Sequence, residues 1–405
     1  MPEGVFARGW LTACFAPGLT DRHRRALFAA SGRGVPWPER ARTSAGRAFG
    51  IDVVSALTRG ASDPRMTAAL DWLSADAHWL LTVDDDDYPA ALRELPDSPL
   101  VLYGAGRRDL LGGAALAVVG SRNPTALGEQ TAEAFARALA DAGVTVVSGL
   151  ALGIDAAAHR GALAGVGSTV AVVGTGLDIV YPPRNRALAQ RIAADGCLLS
   201  EFALGTPARA EHFPRRNRIL AGLTLGCLVV EANPRSGSLI TARLAAEYGR
   251  EVFAIPGPIH SPLARGCHAL IKQGAKLTET AEDILGELAG PLGRVAGLPA
   301  AAPEPQRDAA SGGTASAGTA GATSGRQPVA AFSVGDGRLT SPARQLLAVL
   351  PHGPISVDAL STRLGWTPGE VNTALLELEL AGRAARCGHA AWQRLAAVRI
   401  QGHAE

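Results

Sequence analysis

Lysine is almost missing from this 405-residue chain: Lys272 and Lys276 are the only two, and arginine supplies the rest of the 39 basic residues. Against 37 acidic residues the net charge is only +2, so neither total charge nor arginine content by itself argues for a nucleic-acid partner. Cysteine is sparse as well. Cys14, Cys197, Cys227, Cys267 and Cys387 are scattered without a CxxC pair, which leaves no case for a zinc site or a disulfide framework. No apolar run reaches about 18 residues, and the first residues lack the charged-then-apolar order of a secretory signal. The chain therefore reads as a cytoplasmic protein with no membrane partner.

At 47% hydrophobic residues the chain can bury a large core, and its length predicts two or three domains. Four stretches emerge. Residues 1–80 carry helical patterns such as LTDRHRRALFAA and TAALDWLSA, predicting a small helical domain of the SAM-like or helix-hairpin-helix-like kind. Its charge is lopsided: residues 1–50 hold eight Arg against three acids, and residues 51–100 hold three Arg against ten acids, including Asp84 to Asp87. Residues 81–289 form the expected core. Within them ALAVVG, VTVVSGL, TVAVVGTG, CLLSEF, LGCLVVEA, EVFAIPG and AKLT alternate with helix-like pieces such as EQTAEAFARALADAG. Continuous rather than alternating apolar runs fit strands covered on both faces of a parallel sheet, so this is an α/β, doubly wound core. Residues 290–338 are rich in Gly, Ala, Ser, Thr and Pro and read as a flexible linker. Residues 339–400 give three helix patterns and a hairpin-like ARCGHAAWQRL, the order of a C-terminal winged helix.

The most constraining stretch is HFPRRNRILAGLTLGCLVVEANPRSGSLIT, residues 212 to 241, which puts four arginines in two loops around one apolar strand. A helix is expected over Pro214 to Gly222, placing Arg215, Arg216 and Arg218 in its opening turn beside Asn217. Cations are disfavoured at a helix N-terminus, so such a turn calls for something anionic beside it, and free N–H groups there suit phosphate. The loop Asn233 to Ser238 repeats the device with Arg235, Ser236, Gly237 and Ser238. Two adjacent phosphate-seeking loops suggest a polyanion.

Open parallel sheets bind ligands at the carboxyl ends of their strands. The first such loop is Gly120-Ser121-Arg122, where small residues let backbone N–H groups approach an anion; a tight turn with a surface Arg is the alternative. In SGLALGIDAAAH, Asp155 reads as an N-cap and His159 as a packing residue. The third loop has Gly174 and Gly176 but Ile179 where a dinucleotide fingerprint needs Gly, so no nicotinamide or flavin cofactor is expected. There Tyr181-Pro182-Pro183 either aims Arg184 and Asn185 outward or is a rigid structural turn. Lys272 and Lys276 either line the same face or are ordinary helix-surface charges.

The series VVGSR, SGLALGIDAAAH, AVVGTGLDIVYPPRN, LLSEF, FPRRNRILAGL, VVEANPRSGSLITARLA, REVFAIPG and GCHALIKQGA resembles, in order and spacing, the DNA-processing protein A (DprA/Smf) family. The resemblance runs from about Trp79 to about Leu288. It implies an extended Rossmann-like core that binds single-stranded DNA, forms a homodimer, and hands the strand to the RecA recombinase during natural transformation, with no catalytic reaction. It further implies phosphate contacts at Arg122, Arg184, Arg215, Arg216 and Arg218, base stacking on Phe213, and a groove extended by Arg235, Ser236 and Ser238. Two departures stand out. Leu127 occupies a position where the family commonly has an aromatic, and His268 one where it has Asn.

The rival class is a nucleotide-processing hydrolase on a related Rossmann-like scaffold, whose members resemble one another in a PGGxGTxxE run supplying a catalytic Glu. Here the comparable place reads NPRSGSLITAR, with no Glu. The winged helix lacks the basic stripe of a groove reader, since residues 339–405 hold six Arg against five acids and its recognition helix carries Glu370, Glu377 and Glu379. It reads as a protein-contact or dimer-tuning module.

Overall fold

The computed structural model describes residues 3–43, 46, 49, 52–295, 340–351, 355–381, 383–387 and 391–394. They fall into two compact units divided between Ala296 and Gly297. Most of the stretch expected to be a linker lies outside the described residues. No described helix is long and apolar enough to cross a membrane.

The described residues of the first unit open with the helices α1 (Glu3–Phe15), α2 (Asp21–Ser31), α3 (Trp37–Ala41), α4 (Val53–Ala61) and α5 (Arg65–Leu73). The sheet elements follow as β1 (His78–Thr82), α6 (Ala90–Arg93), β2 (Val101–Gly106), β3 (Ala115–Val119), α7 (Ala126–Asp141), β4 (Thr145–Ser148), α8 (Ile154–Ala162) and β5 (Thr169–Val172). Then come α9 (Arg186–Asp195), β6 (Cys197–Ser200), α10 (His212–Leu223), β7 (Gly226–Val229), α11 (Ser238–Glu247), β8 (Glu251–Ala254), α12 (Arg265–Lys272), β9 (Lys276–Leu277) and α13 (Ala281–Val295).

All seven apolar runs become strands of one nine-stranded sheet, ordered β1-β2-β6-β5-β4-β3-β7-β8-β9. From β6 to β9 every pairing is parallel, while β1 and β2 add an antiparallel edge. Strand β3 shows why its run is unbroken. Leu116 and Val118 point into a core shared with Ala132, Leu139, Ile154 and Ile284, whereas Ala117 and Val119 enter another with Ala221, Ala242, Ala245 and Cys267. Successive side chains leave opposite faces of the pleat, and helices cover both.

The helical front is not a separate body. Trp10, Leu11, Leu27, Trp37 and Met66 share one apolar cluster with Leu81, Leu102, Tyr103, Val170 and Ile219, and the expected 80/81 boundary falls inside β1. The lopsided charge has its cause here too. Arg40, fully buried, donates from Nη2 to Asp84 at 2.9 Å and lies over the rings of Trp10, Phe28 and Trp37. Arg33 pairs with Asp86 at 2.7 Å and Arg108 with Asp87 at 2.6 Å. The acid run thus faces a basic front.

The second unit contains α14 (Ser341–Val349), β10 (Ile355–Ser356), α15 (Val357–Leu364), α16 (Pro368–Leu380), β11 (Ala384–Cys387) and β12 (Ala391–Arg394), with strand order β10-β12-β11. It is a winged helix around Leu346, Leu360, Val371, Leu375 and Trp392. Two of the acids on α16 are engaged internally. Glu370 closes a capping box with Thr367, and Glu377 accepts from Thr340 N and Oγ1, both at 2.6 Å.

Candidate nucleic-acid interface

The strand order reverses between β3 and β7: from β3 the chain moves outward through β4, β5 and β6, then crosses back to place β7 on the other side of β3. Such a switch point opens a crevice above the carboxyl ends of the two strands. Here it has a volume of about 530 Å³, with walls from the loop Gly120 to Asn123 and from Asn233 to Ser238, and with the start of α10 between them.

A half-buried carboxylate joins the two walls. Glu231, just after β7, accepts from Thr125 N at 2.9 Å and Thr125 Oγ1 at 2.6 Å, and Thr125 caps α7. A Cβ at Gly128 would sit 2.5 Å from that carboxylate, so a larger residue there would push Glu231 off Thr125. Burial raises the Glu231 pKa, opposed by the bonds from Thr125.

The floor is built from β4 and α10. Arg216 is 5% exposed, and its Nη1 donates to Val172 O at 2.7 Å. Its guanidinium lies where a Cβ at Gly149 would be. Burial pushes its pKa down to about 10, against the pull of Asp155. Asp155 is not the helix cap expected of it, since Gly153 holds that position. Its Oδ2 instead accepts from Gly149 N at 3.1 Å and Ala151 N at 3.4 Å, and burial raises its pKa, with Arg216 opposing most strongly. Between these residues Leu150 adopts a left-handed φ of 58°, held by Leu150 N donating to His159 Nε2 at 3.3 Å and by Asn185 Nδ2 donating to Leu150 O at 2.8 Å. His159 is fully buried. Thr169 Oγ1 donates to Val146 O, so it accepts from His159 Nδ1 at 2.7 Å, which fixes the neutral tautomer. Burial pushes its pKa down to about 3. His159 is thus a packing residue, as expected, and a hydrogen-bonded one.

At the mouth, Arg122 is exposed and stands over the Phe213 ring at 5.4 Å. Tyr181, 46% exposed, continues the row with its ring 5.9 Å from Phe213. The sequence reading of Tyr181 stopped at a turn. Ser236 and Ser238 bond each other at 2.7 Å on the far wall, and Asn217 lines the same space.

Helix α10 begins at His212, and its three arginines diverge. Only Arg216 reaches the crevice. Arg215 pairs with Asp21 at 2.8 Å and Glu201 at 3.3 Å; Arg218 pairs with Asp97 at 3.0 Å and also with Glu201. The anions that the arginine-loaded turn calls for are, for these two, carboxylates of the chain itself. Arg184 and Arg235 are exposed on the loops after β5 and β7. Asn185 is turned inward, its amide spent on Leu150 and Ala151. Lys272 ends α12, the helix that leads to the start of β9, so it lies towards the amino ends of the strands rather than the carboxyl ends that form the crevice. Lys276 pairs with Glu251 at 3.3 Å and with Glu287. His268 keeps a polar role at its departure position, bonding Gly257 O through Nε2 at 2.9 Å.

A mostly parallel sheet with a cationic, aromatic-rimmed crevice at its switch point, accompanied by a winged helix, defines a Rossmann-like protein. Comparison with known proteins specifies it further. Residues 79–289 match the DNA recombination-mediator protein A family and residues 336–388 the DprA winged helix domain. The chain belongs to the DprA/Smf family, and its role lies in DNA recombination. It is 41% identical over 316 residues to Protein Smf of Escherichia coli, covering 78% of this chain and 77% of that one. It is 49% identical over 203 residues to DNA processing protein DprA of Streptococcus pneumoniae, covering 50% and 72%. The X-ray structure of DprA from Streptococcus pneumoniae superposes with a TM-score of 0.59 at 36% identity, covering 71% of this chain and 98% of that one.

Proposed function

We propose that the crevice binds single-stranded DNA and that the chain, as a homodimer, hands the strand to the RecA recombinase during recombination or the uptake of transforming DNA. The observation that carries the reading is Arg122 over Phe213 at the crevice mouth: a cation for the backbone beside an aromatic face for a base. Arg184, Arg235, Ser121, Ser236, Gly237, Ser238 and Asn217 extend the contact on either side. Arg215 and Arg218 hold α10 in place instead. Binding rather than catalysis is favoured because the place comparable to the hydrolases' catalytic Glu reads NPRSGSLITAR, with no Glu. A gel-shift of the full chain with single-stranded and duplex oligonucleotides at several salt concentrations tests this. Single strands should shift preferentially, with affinity falling as salt rises. Equal weak binding to both, or nucleotide hydrolysis without a shift, would refute it. For the RecA step, the chain should speed RecA filament formation on strands already coated by a single-strand binding protein.

A further inference from the structure

The outer edge of β1 is open at its middle. Strand β1 pairs with β2 alone. Gly106 N donates to Ala77 O at 2.8 Å and Val83 N to Leu100 O at 3.0 Å, so Ala77, Trp79, Leu81 and Val83 bond inward while His78, Leu80 and Thr82 turn their main-chain groups outward. Both ends of that outer edge are closed by the chain itself. His78 N donates to Ala75 O at 3.1 Å, Thr82 N donates to Asp85 Oδ2 at 2.6 Å, and Thr82 O accepts from Asp85 N at 2.9 Å. No described residue answers the Leu80 N–H or C=O. Beside Leu80 lies a groove of about 370 Å³, with an apolar wall from Ala7 of α1 and Leu70 and Leu73 of α5, and with Asp85 and Arg108 in its lining.

Unpaired main-chain groups at a sheet edge are a template for another strand, and proteins ordinarily blunt them. Here the blunting stops at the two ends. An extended main chain would satisfy Leu80, and its side chains, alternating from one face to the other, would reach Leu70 and Leu73. The surroundings set the charge of such an occupant. Residues 51–100 hold ten acids against three Arg, and Asp71 and Asp76, on α5 and on the turn into β1, are exposed. Arg108 is engaged by Asp87 at 2.6 Å and stands 3.9 Å from Asp85. Burial raises the Asp85 pKa, with Thr82 and Arg108 opposing it, so a further cation beside that carboxylate is favourable. We propose that the outer edge of β1 docks a basic, extended segment of a protein partner, its main chain pairing with Leu80, an apolar side chain resting on Leu70 and Leu73, and a lysine or arginine meeting Asp85. In the sheet β1 stands five strands away from β3, so this surface is separate from the crevice.

The test uses the full chain and a fluorescently labelled Lys-Val-Val-Val-Lys peptide amide, with binding read by anisotropy and hydrogen exchange of the β1 amides followed by NMR. The peptide should bind and slow exchange at Leu80. Methylating its central amide nitrogen removes the donor to Leu80 O and should weaken binding about fivefold or more. Exchanging both lysines for glutamate should weaken it about tenfold or more. Asp85→Asn keeps an acceptor for Thr82 N and should weaken the lysine peptide about fivefold. Equal binding of the parent and N-methylated peptides, or of the lysine and glutamate peptides, would overturn the proposal, as would no binding of the parent peptide. So would Leu80 exchange that slows with protein concentration when no peptide is present, because a second copy of this chain would then hold the edge.

Discussion

Arg218 on α10 and Arg122 on the loop after β3 are both arginines, yet replacing each by alanine should do opposite things. The Arg218 side chain is 7% exposed and pairs with Glu201, itself 10% exposed, and with Asp97, which is 47% exposed. Arg218→Ala strips Glu201 of one of two cations, leaving Arg215 at 3.3 Å. Breaking a buried pair costs about 3–5 kcal/mol, and the remaining partner puts this case near about 3 kcal/mol. At about 2–4 °C per kcal/mol, the melting temperature should fall by about 6–12 °C. Arg122 is exposed and has no ion-pair partner among the described residues, so Arg122→Ala should change stability by no more than about 0.5 kcal/mol. Its effect should appear in DNA binding, where losing one phosphate contact lowers the slope of log K against log salt by about 0.7. Paired thermal melts and salt-dependent titrations read both quantities. The reasoning fails if Arg218→Ala melts like the parent while losing affinity, or if Arg122→Ala loses stability and leaves the salt slope intact.

Phe213→Ala should weaken single-strand binding by about 1–3 kcal/mol with an unchanged salt slope, since stacking releases no counterions; fluorescence anisotropy at several salt concentrations reads both. Asp84→Ala leaves the Arg40 guanidinium buried without its carboxylate and should cost about 3–5 kcal/mol in chemical denaturation, whereas Asp86→Ala, at an exposed pair, should cost under about 1 kcal/mol. The depressed pKa of His159, about 3 against an ordinary 6.5, works in the acid direction. Above pH 6.5 both folded and unfolded forms are neutral; below it the unfolded chain takes up a proton that the folded one refuses. Stability should therefore drop as pH falls from 6.5, by about 2 kcal/mol at pH 5. His159→Gln should flatten that slope in denaturation at pH 7 and 5; an unchanged slope would mean that the imidazole titrates in the fold.

The sheet was legible because its physics is local. Each of the seven apolar runs is short, unbroken and followed by a helix, and burial on both faces demands that pattern. That Arg122, Phe213, Ser236 and Ser238 line one crevice follows from small, cationic or aromatic residues set in the loops and helix starts that follow those runs. Which arginine of α10 faces the crevice was not. The answer depends on Asp21, Asp97 and Glu201, and Asp21 lies 194 residues from the Arg215 it pairs with. Asp155 misled for the opposite reason: an acid near a helix start looks like a cap, yet Gly153 takes that place and the carboxylate reaches back to the preceding loop. Lys272 failed on direction, because helices of this fold begin at the strand ends that bind ligand and finish at the ends that do not.

The cluster that runs from Trp10 through Leu81 to Val170 bears on how this protein can be divided. A fragment begun at residue 81 would sever β1 in mid-strand, strip the cover from Leu102 and Tyr103, and leave the rest of Asp84 and Asp86 without the arginines that answer them. It would also take Asp21 away from Arg215, leaving that arginine to share Glu201 with Arg218. Such a fragment could bind polyanions more avidly than the parent while being less well folded. The two compact units divide instead after Ala296.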